Sequence, residues 1–348
     1  MRKILALFLP LLCTIAIHSE DLQSKIPPMP AAVTDNAVTT LHNGLDVYSM
    51  MGIGPKRTWD DVTSQVYFLH IPSGKWIKGR PVPGVAGRLG ASAITAKDKI
   101  YLFGGFTIDG QGNEYTVSDV NAFLPREQRW YRAADMPIGV DRAVIGLNRD
   151  RFIYIIGGRS KSGPINNVQV YDIVTNKWSA ATPFPGTPVF GHAGGVGDET
   201  IVFVDGAKKN TTGGGPAYVP SDECWMGKID KKDANKITWT KLPPHPGNAR
   251  FGIVGGAREK DRKILFSGGS ASVHNYKGLD ADGKPVEFSP VTFSYDVRAN
   301  KWETLTEETE DIHSDSRGIA STPIGPLIVG GLVRDNSVSS RVEIVPKY

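Results

Sequence analysis

A short β-branched run that ends in two adjacent glycines recurs along this chain, and it limits the possible folds more than any other feature. "KIYLFGGF" ends in Gly104-Gly105, "FIYIIGG" in Gly157-Gly158, "KILFSGGS" in Gly268-Gly269 and "PLIVGGL" in Gly330-Gly331. "TIVFVDGA" carries Asp205-Gly206 at the same place, and "DVYSMMGIG" carries Gly52 and Gly54. A large apolar residue and then a tryptophan follow: Leu69 and Trp76, Phe123 and Trp130, Tyr171 and Trp178, Tyr295 and Trp302. Trp239 closes the unit with the Asp-Gly pair, and "YDIVTNKW" and "YDVRANKW" are nearly one phrase. Self-similarity at a period of roughly 50 residues marks a repeat architecture.

Each unit reads as four short strands. Two apolar runs such as "RAVIGLN" and "FIYIIGG" lead to the glycines; an alternating run such as "NVQVYDI" and a run starting at the tryptophan follow. Alternation at period two, broken by Gly, Pro and Asn turns, predicts strands rather than helices. The 39 glycines and 24 prolines suit such a turn-rich chain. A small twisted sheet of four strands packs face to face on copies of itself around an axis, as a propeller blade does. Glycine allows a sharp turn where a Cβ would collide. Tyrosine and tryptophan fill the space between neighbouring sheets, each with one polar atom to satisfy at the rim.

The recurring glycine pair, tyrosine and tryptophan resemble the kelch β-propeller family, over nearly the whole chain beyond its first twenty residues. The expected fold is all-β, a six-bladed kelch-type β-propeller, with units near 32–80, 81–133, 134–182, 183–243, 244–306 and 307–348. The last unit lacks its tryptophan strand. "KIPPMPAA" (Lys25–Ala32) looks like the tail of such a strand with its exit loop, as in "KLPPHPGNAR" (Lys241–Arg250). Residues 22–31 are therefore expected to supply the outer strand of the sixth blade, closing the ring and removing its open edge.

The N-terminus reads differently. Arg2 and Lys3 precede an apolar stretch from Ile4 to Ile17, and polar residues follow at once. This pattern predicts a cleaved leader at 1–19, a propeller at 20–348, and a periplasmic or secreted protein. Losing Arg2 and Lys3 lowers the formal net charge from +4 to +2, too near neutral to suggest a nucleic-acid partner. No later stretch has the roughly 18 consecutive apolar residues of a membrane span. Cys224 is then the one remaining cysteine, so no internal disulfide is expected. Asn210 begins an "NTT" sequon, meaningful only in a eukaryotic secretory route.

The loops that follow the tryptophan strands carry a second pattern. They end at Arg88, Arg142, His192, Arg250 and Arg317, just before the next inner strand begins. A ring of guanidinium groups at a channel mouth would bind carboxylates bidentately, and channel walls would focus its field. Arg88, Arg142, Arg250 and Arg317 are thus the candidate ligand-binding residues. The plainer reading has them bridge blades through loop carbonyls and neighbours such as Asp141 and Asp315. The loops after the glycines add polar groups on the same face, among them Arg57, Glu114, Arg159, Lys208, His274 and Tyr276. Asp311, His313 and Asp315 alternate, but a capped turn explains them better than a metal site. No Cys/His cluster and no phosphate loop is present, so neither metal nor cofactor is expected.

Among kelch propellers, the chain is similar to the exported bacterial sialic acid mutarotases (N-acetylneuraminate epimerases). The likeness lies in its size, leader, expected closure and the phrase "VFGHAGGVGDETIVFVDGAKK". Mutarotation opens and recloses a sugar ring, which needs a proton acceptor, a proton donor and a cation for the sugar's carboxylate. The resemblance implies an anionic sugar as ligand, the four arginines as its clamp and His192 as proton shuttle. That family has a glutamate where this chain has Ala207; Asp205, on the same strand face but roughly 6–7 Å away, is the stand-in. The other class of function is a non-enzymatic module that binds acidic peptides, proteins or glycans on the same face.

Overall fold

The computed structural model describes residues 26–258, 262–306 and 313–345. Six antiparallel sheets follow one another along the chain. In blade one the strands, from the axis outward, are Ala37–Leu41, Asp46–Met50, Val66–His70 and Lys75–Lys78. Blade two has Ser92–Ala96, Lys99–Phe103, Val120–Leu124 and Arg129–Arg132. Blade three has Val144–Asn148, Phe152–Ile156, Val168–Asp172 and Lys177–Ala181. Blade four has Ala193–Gly197, Thr200–Val204, Cys224–Ile229 and Ile237–Lys241. Blade five has Val254–Arg258, Lys263–Ser267, Thr292–Asp296 and Lys301–Thr306. Blade six shows three strands, Ala320–Thr322, Gly325–Val329 and Val342–Ile344. The innermost strands of consecutive blades touch in turn, and blade six touches blade one, so the sheets form a closed six-bladed ring.

Each seam between blades has its own apolar cluster. Tyr154, Phe184 and Phe203 fill the seam of blades three and four; Leu69, Val329 and Val342 lie in the seam of blades six and one. Burying one such side chain contributes about 1.5–3 kcal/mol. The tryptophans stand at the rim, where each indole donates to the carbonyl of the preceding interblade loop. Trp130 reaches Arg80 O, Trp178 Ala134 O, Trp239 Thr182 O and Trp302 Pro243 O, at 2.8–3.1 Å. Tyr171 packs at a tilt against Trp178, and Tyr295 packs edge-on against Trp302.

Trp76 of blade one follows the same rule, but its acceptor is Pro27 O. Met29 N–H donates to Ser340 O, as Val82 N–H does to Ser64 O and Met136 N–H to Ser118 O. Residues 26–33 therefore occupy the interblade loop between blades six and one, and 26–31 form no strand. The outer strand expected ahead of them falls on residues 22–25, and the leader on 1–19; both lie outside the described residues.

The glycine pairs each hold two consecutive residues of positive φ, a left-handed double step at the end of the second strand. At Gly268 a Cβ would lie 1.8 Å from His313 O. In blade one the pair is Met51-Gly52, at φ +60° and +103°, rather than a pair built on Gly54; in blade four it is Asp205-Gly206.

Candidate functional site

The interblade loops end in a feature that organises one face of the ring. Asp35 N–H donates to Asp315 O, Asp315 N–H to Gly252 O and Gly252 N–H to Gly191 O; Gly191 N–H donates to Arg142 O, Arg142 N–H to Gly90 O and Gly90 N–H to Asp35 O. These six bonds, 2.7–3.1 Å long, form a closed belt with one residue from each blade. All six residues have φ between +50° and +67°. Three are glycine, and three carry side chains toward the axis: Asp35, Arg142 and Asp315. Arg142 reaches across to Asp35 of a non-adjacent blade at 2.7 Å, and Arg317 bonds Asp35 and Asp315 at 3.3 and 2.5 Å. Burial opposes the charge of Arg142, but Asp35, Asp315 and Asp141 outweigh it and hold the guanidinium above its ordinary pKa. Burial would also raise Asp315; His274, 2.6 Å away, and Arg317 pull it below the usual carboxylate range instead.

Measured from the belt, the cationic residues that look equivalent in sequence are not equivalent. Arg88 and Arg250 lie two residues before it, Arg142 lies in it, His192 one residue after and Arg317 two after. Each offset sends the side chain a different way. Arg88 turns into its own blade and donates to Gly104 O, Asp119 O and Asn121 Oδ1 at 2.6–3.1 Å. Arg250 does the same to Gly268 O and Val291 O, at 2.9 and 3.0 Å. Both are 1% exposed, and burial lowers the pKa of Arg88 to about 10. These two guanidinium groups bond loop carbonyls, as the plainer sequence reading has it, but fasten the second–third loop within one blade instead of bridging two, and turn no donor outward.

The expected proton-transfer pair is likewise enclosed. His192 is 3% exposed, with Nε2 at 3.0 Å from Ile156 O, and burial lowers its pKa to about 3. Asp205 holds His245 Nε2 at 2.7 Å and accepts from Arg250 N–H at 3.1 Å, and burial raises its pKa. His192 and Asp205 thus bond different partners. His313 pairs with Glu343 rather than with Asp315, Asp311 lies outside the described residues, and no metal-ligand cluster occurs among those described. Cys224 is buried with a free thiol.

A central channel of about 830 Å³ runs along the innermost strands. It extends from the turns between first and second strands, such as Lys97-Asp98 and Arg149-Asp150, to Ser316, Arg317 and His192. Of the four candidate arginines, Arg317 alone lines it, and the belt lies beyond its inner end. The arginines thus do not ring an open mouth.

What the belt face does offer is Arg159. In every blade the residue before the belt forms a β-bridge with the residue after the glycine pair: Thr34–Ile53, Leu89–Phe106, Asp141–Arg159, Phe190–Ala207, Phe251–Ser270 and Ser314–Leu332. The blade-three bridge is the one with charged partners. Arg159 Nε lies 3.0 Å from the buried Asp141 carboxylate, and Nη2 lies 2.6 Å from Glu114. The side chain is 21% exposed and stands between two rings, with its guanidinium carbon 5.0 Å from the Phe106 centroid and 5.5 Å from that of Phe190. Tyr276, from the long blade-five loop, packs on the cluster that contains Phe106, and burial and Glu114 raise its pKa. Aligning the chain on its glycine pairs, instead of on its last cationic residue, puts Arg159 in the column of Ala207.

The arrangement is that of a kelch-type β-propeller with a partly exposed cation, Arg159, on its loop face. Residues 50–331 match the family model of the Attractin/LZTR1 beta-propeller, and the chain belongs to that family. It is 29% identical over 298 residues to Kelch-like protein 15 of Danio rerio, covering 81% of this chain and 44% of that protein. Against Kelch-like protein 15 of Homo sapiens it is 27% identical over 311 residues, covering 87% and 46%. Kelch-like protein terF of Aspergillus terreus is 28% identical over 237 residues, covering 65% and 49%. The chain spans less than half the length of these curated relatives. The solved structure of YjhT superposes with a TM-score of 0.72 at 17% identity, covering 91% of this chain and 96% of that one, which is a likeness of fold.

Proposed function

We propose that this protein is an exported binding propeller for an anionic ligand, a carbohydrate acid such as a sialic acid, held on the belt face at Arg159. The charged Asp141–Arg159 bridge carries the reading, because the other five equivalent bridges hold apolar, small or uncharged residues. Asp141 orients the guanidinium from behind, and Nη2, on the partly exposed side, pairs with Glu114. The buried Phe106 and Phe190 rings lie beside the guanidinium and hold it in place. Guanidinium pairs with carboxylate more specifically than ammonium does, through two parallel N–H groups.

The resemblance to sialic acid mutarotases supplies the second reading, catalysed anomer exchange. Against His192 and Asp205 as its proton carriers stand their burial and existing partners. One experiment separates the two: N-acetylneuraminate titrated into the protein and followed by NMR through its anomeric signals. Saturable shifts with exchange at the uncatalysed rate identify a binding module, and accelerated exchange identifies a mutarotase. An acidic peptide that competes where the sugar acid does not would replace the ligand class. Absence of binding by either would end the proposal.

A further inference from the structure

Resting on the reading of Arg159 as the anion seat, we propose that Glu114 is an internal occupant of that seat and that a ligand carboxylate binds by displacing it. The two carboxylates on Arg159 are held very differently. Asp141 is fully buried, and its backbone exchanges both hydrogen bonds with Arg159. Glu114 comes from another blade. It sits on the strand Glu114–Thr116, paired with Phe106–Ile108 in a two-stranded hairpin outside the main sheet. Its side chain is 28% exposed, and the ion pair with Arg159 is its contact across the seam.

Charge balance makes the two occupants exclusive. Behind the seat, Asp35, Asp141 and Asp315 face Arg142, Arg159 and Arg317 in a linked series of ion pairs. Those six formal charges cancel, with His274 Nε2 a further partner of Asp315 at 2.6 Å, and Glu114 adds one negative charge at the outer end. A ligand carboxylate that replaces Glu114 leaves the sum unchanged. A ligand that arrived beside Glu114 would set three carboxylates around one guanidinium, and like charges at such distances repel strongly where water is partly excluded. A neutral sugar has no charge to offer Arg159 in exchange. Glu114 therefore acts as a filter: it weakens binding of every ligand that must evict it and excludes those that cannot replace its charge.

The test uses the full-length protein with N-acetylneuraminate as the acidic probe and N-acetylmannosamine as the neutral one. Affinities are measured by calorimetry for wild type, Glu114→Ala, Glu114→Gln and Arg159→Gln, with melting curves confirming that each is folded. Releasing a partly exposed ion pair is expected to tighten N-acetylneuraminate roughly fivefold in both Glu114 variants. The neutral sugar, excluded from the wild type, should begin to bind in both Glu114 variants, and Arg159→Gln should abolish binding of the acid. Affinities for the acid that are unchanged or weaker in both Glu114 variants, with Arg159→Gln still inactive, would overturn the displacement and leave the seat standing. Undiminished binding by Arg159→Gln, or none by any variant, would overturn both.

Discussion

Replacing Arg88 by methionine tests whether the buried arginines hold the blades or hold a ligand. Methionine fills much of the same space without charge. The substitution strands three acceptors, Gly104 O, Asp119 O and Asn121 Oδ1, which now accept from Arg88 at 2.6–3.1 Å. Each acceptor left unpaired away from water costs about 1–3 kcal/mol. Relief from burying a guanidinium offsets part of that, since burial already lowers the pKa of Arg88. The net expectation is a loss of about 3 kcal/mol, within the range for breaking a buried charged contact. Arg250→Met, with equivalent bonds to Gly268 O and Val291 O, should behave alike. Arg159→Gln removes a partly exposed pair with Glu114 and a contact with the buried Asp141, which keeps Arg142 at 3.6 Å, and should cost about 1–3 kcal/mol. Urea unfolding followed by tryptophan fluorescence gives the stabilities, and titration of the folded variants with N-acetylneuraminate gives affinities. Met variants as stable as the wild type, but with impaired ligand binding, would refute the assignment and return Arg88 and Arg250 to the ligand.

Two further substitutions probe the backbone and the buried imidazole. Gly268→Ala and Gly283→Ala both place a side chain at positive φ, +65° and +75°, but a Cβ meets His313 O at 1.8 Å in the first and nothing within 4 Å in the second. In urea, Gly283→Ala should lose about 1 kcal/mol and Gly268→Ala about 1–3 kcal/mol more; equal losses would mean that the glycine pair answers to conformation alone. His192 stays neutral in the fold down to about pH 3, against an ordinary value of 6.5. The unfolded chain takes up that proton first as pH falls, so stability should drop between 6.5 and 3 by up to about 1.4 kcal/mol per pH unit from this residue. His192→Gln should flatten that slope in urea unfolding series at pH 6.5, 5.5 and 4.5, and an unaltered slope would contradict the assignment.

The fold could be read from the sequence because its markers are local. Two left-handed residues, then a ring, then an indole recur at nearly fixed spacing, and each serves a purpose inside its own unit or against the next. The site was less legible for a geometric reason. Arg88, Arg142 and Arg317 all end an interblade loop, yet they stand two residues before, within and two residues after the belt. A strand reverses its side-chain direction at every residue, and the left-handed belt residue breaks that alternation again. A shift of one or two positions therefore separates a blade fastener from an axial charge. The Arg142–Asp35 pair joins residues 107 apart on blades that are not neighbours, which no periodicity announces. Arg159 was one of several polar residues in the loops after the glycines. The signal that distinguishes it, a charge where the equivalent residues are Ile53, Phe106, Ala207, Ser270 and Leu332, appears only after the units are aligned on their glycine pairs.

A crystal structure of the protein soaked with N-acetylneuraminate tests the central claim most directly. The ligand carboxylate is predicted within hydrogen-bond distance of the outer nitrogens of Arg159, with the Glu114 side chain swung away. A carboxylate bound instead at Arg317 through the central channel, or a belt face left empty while density fills another surface, would contradict the claim.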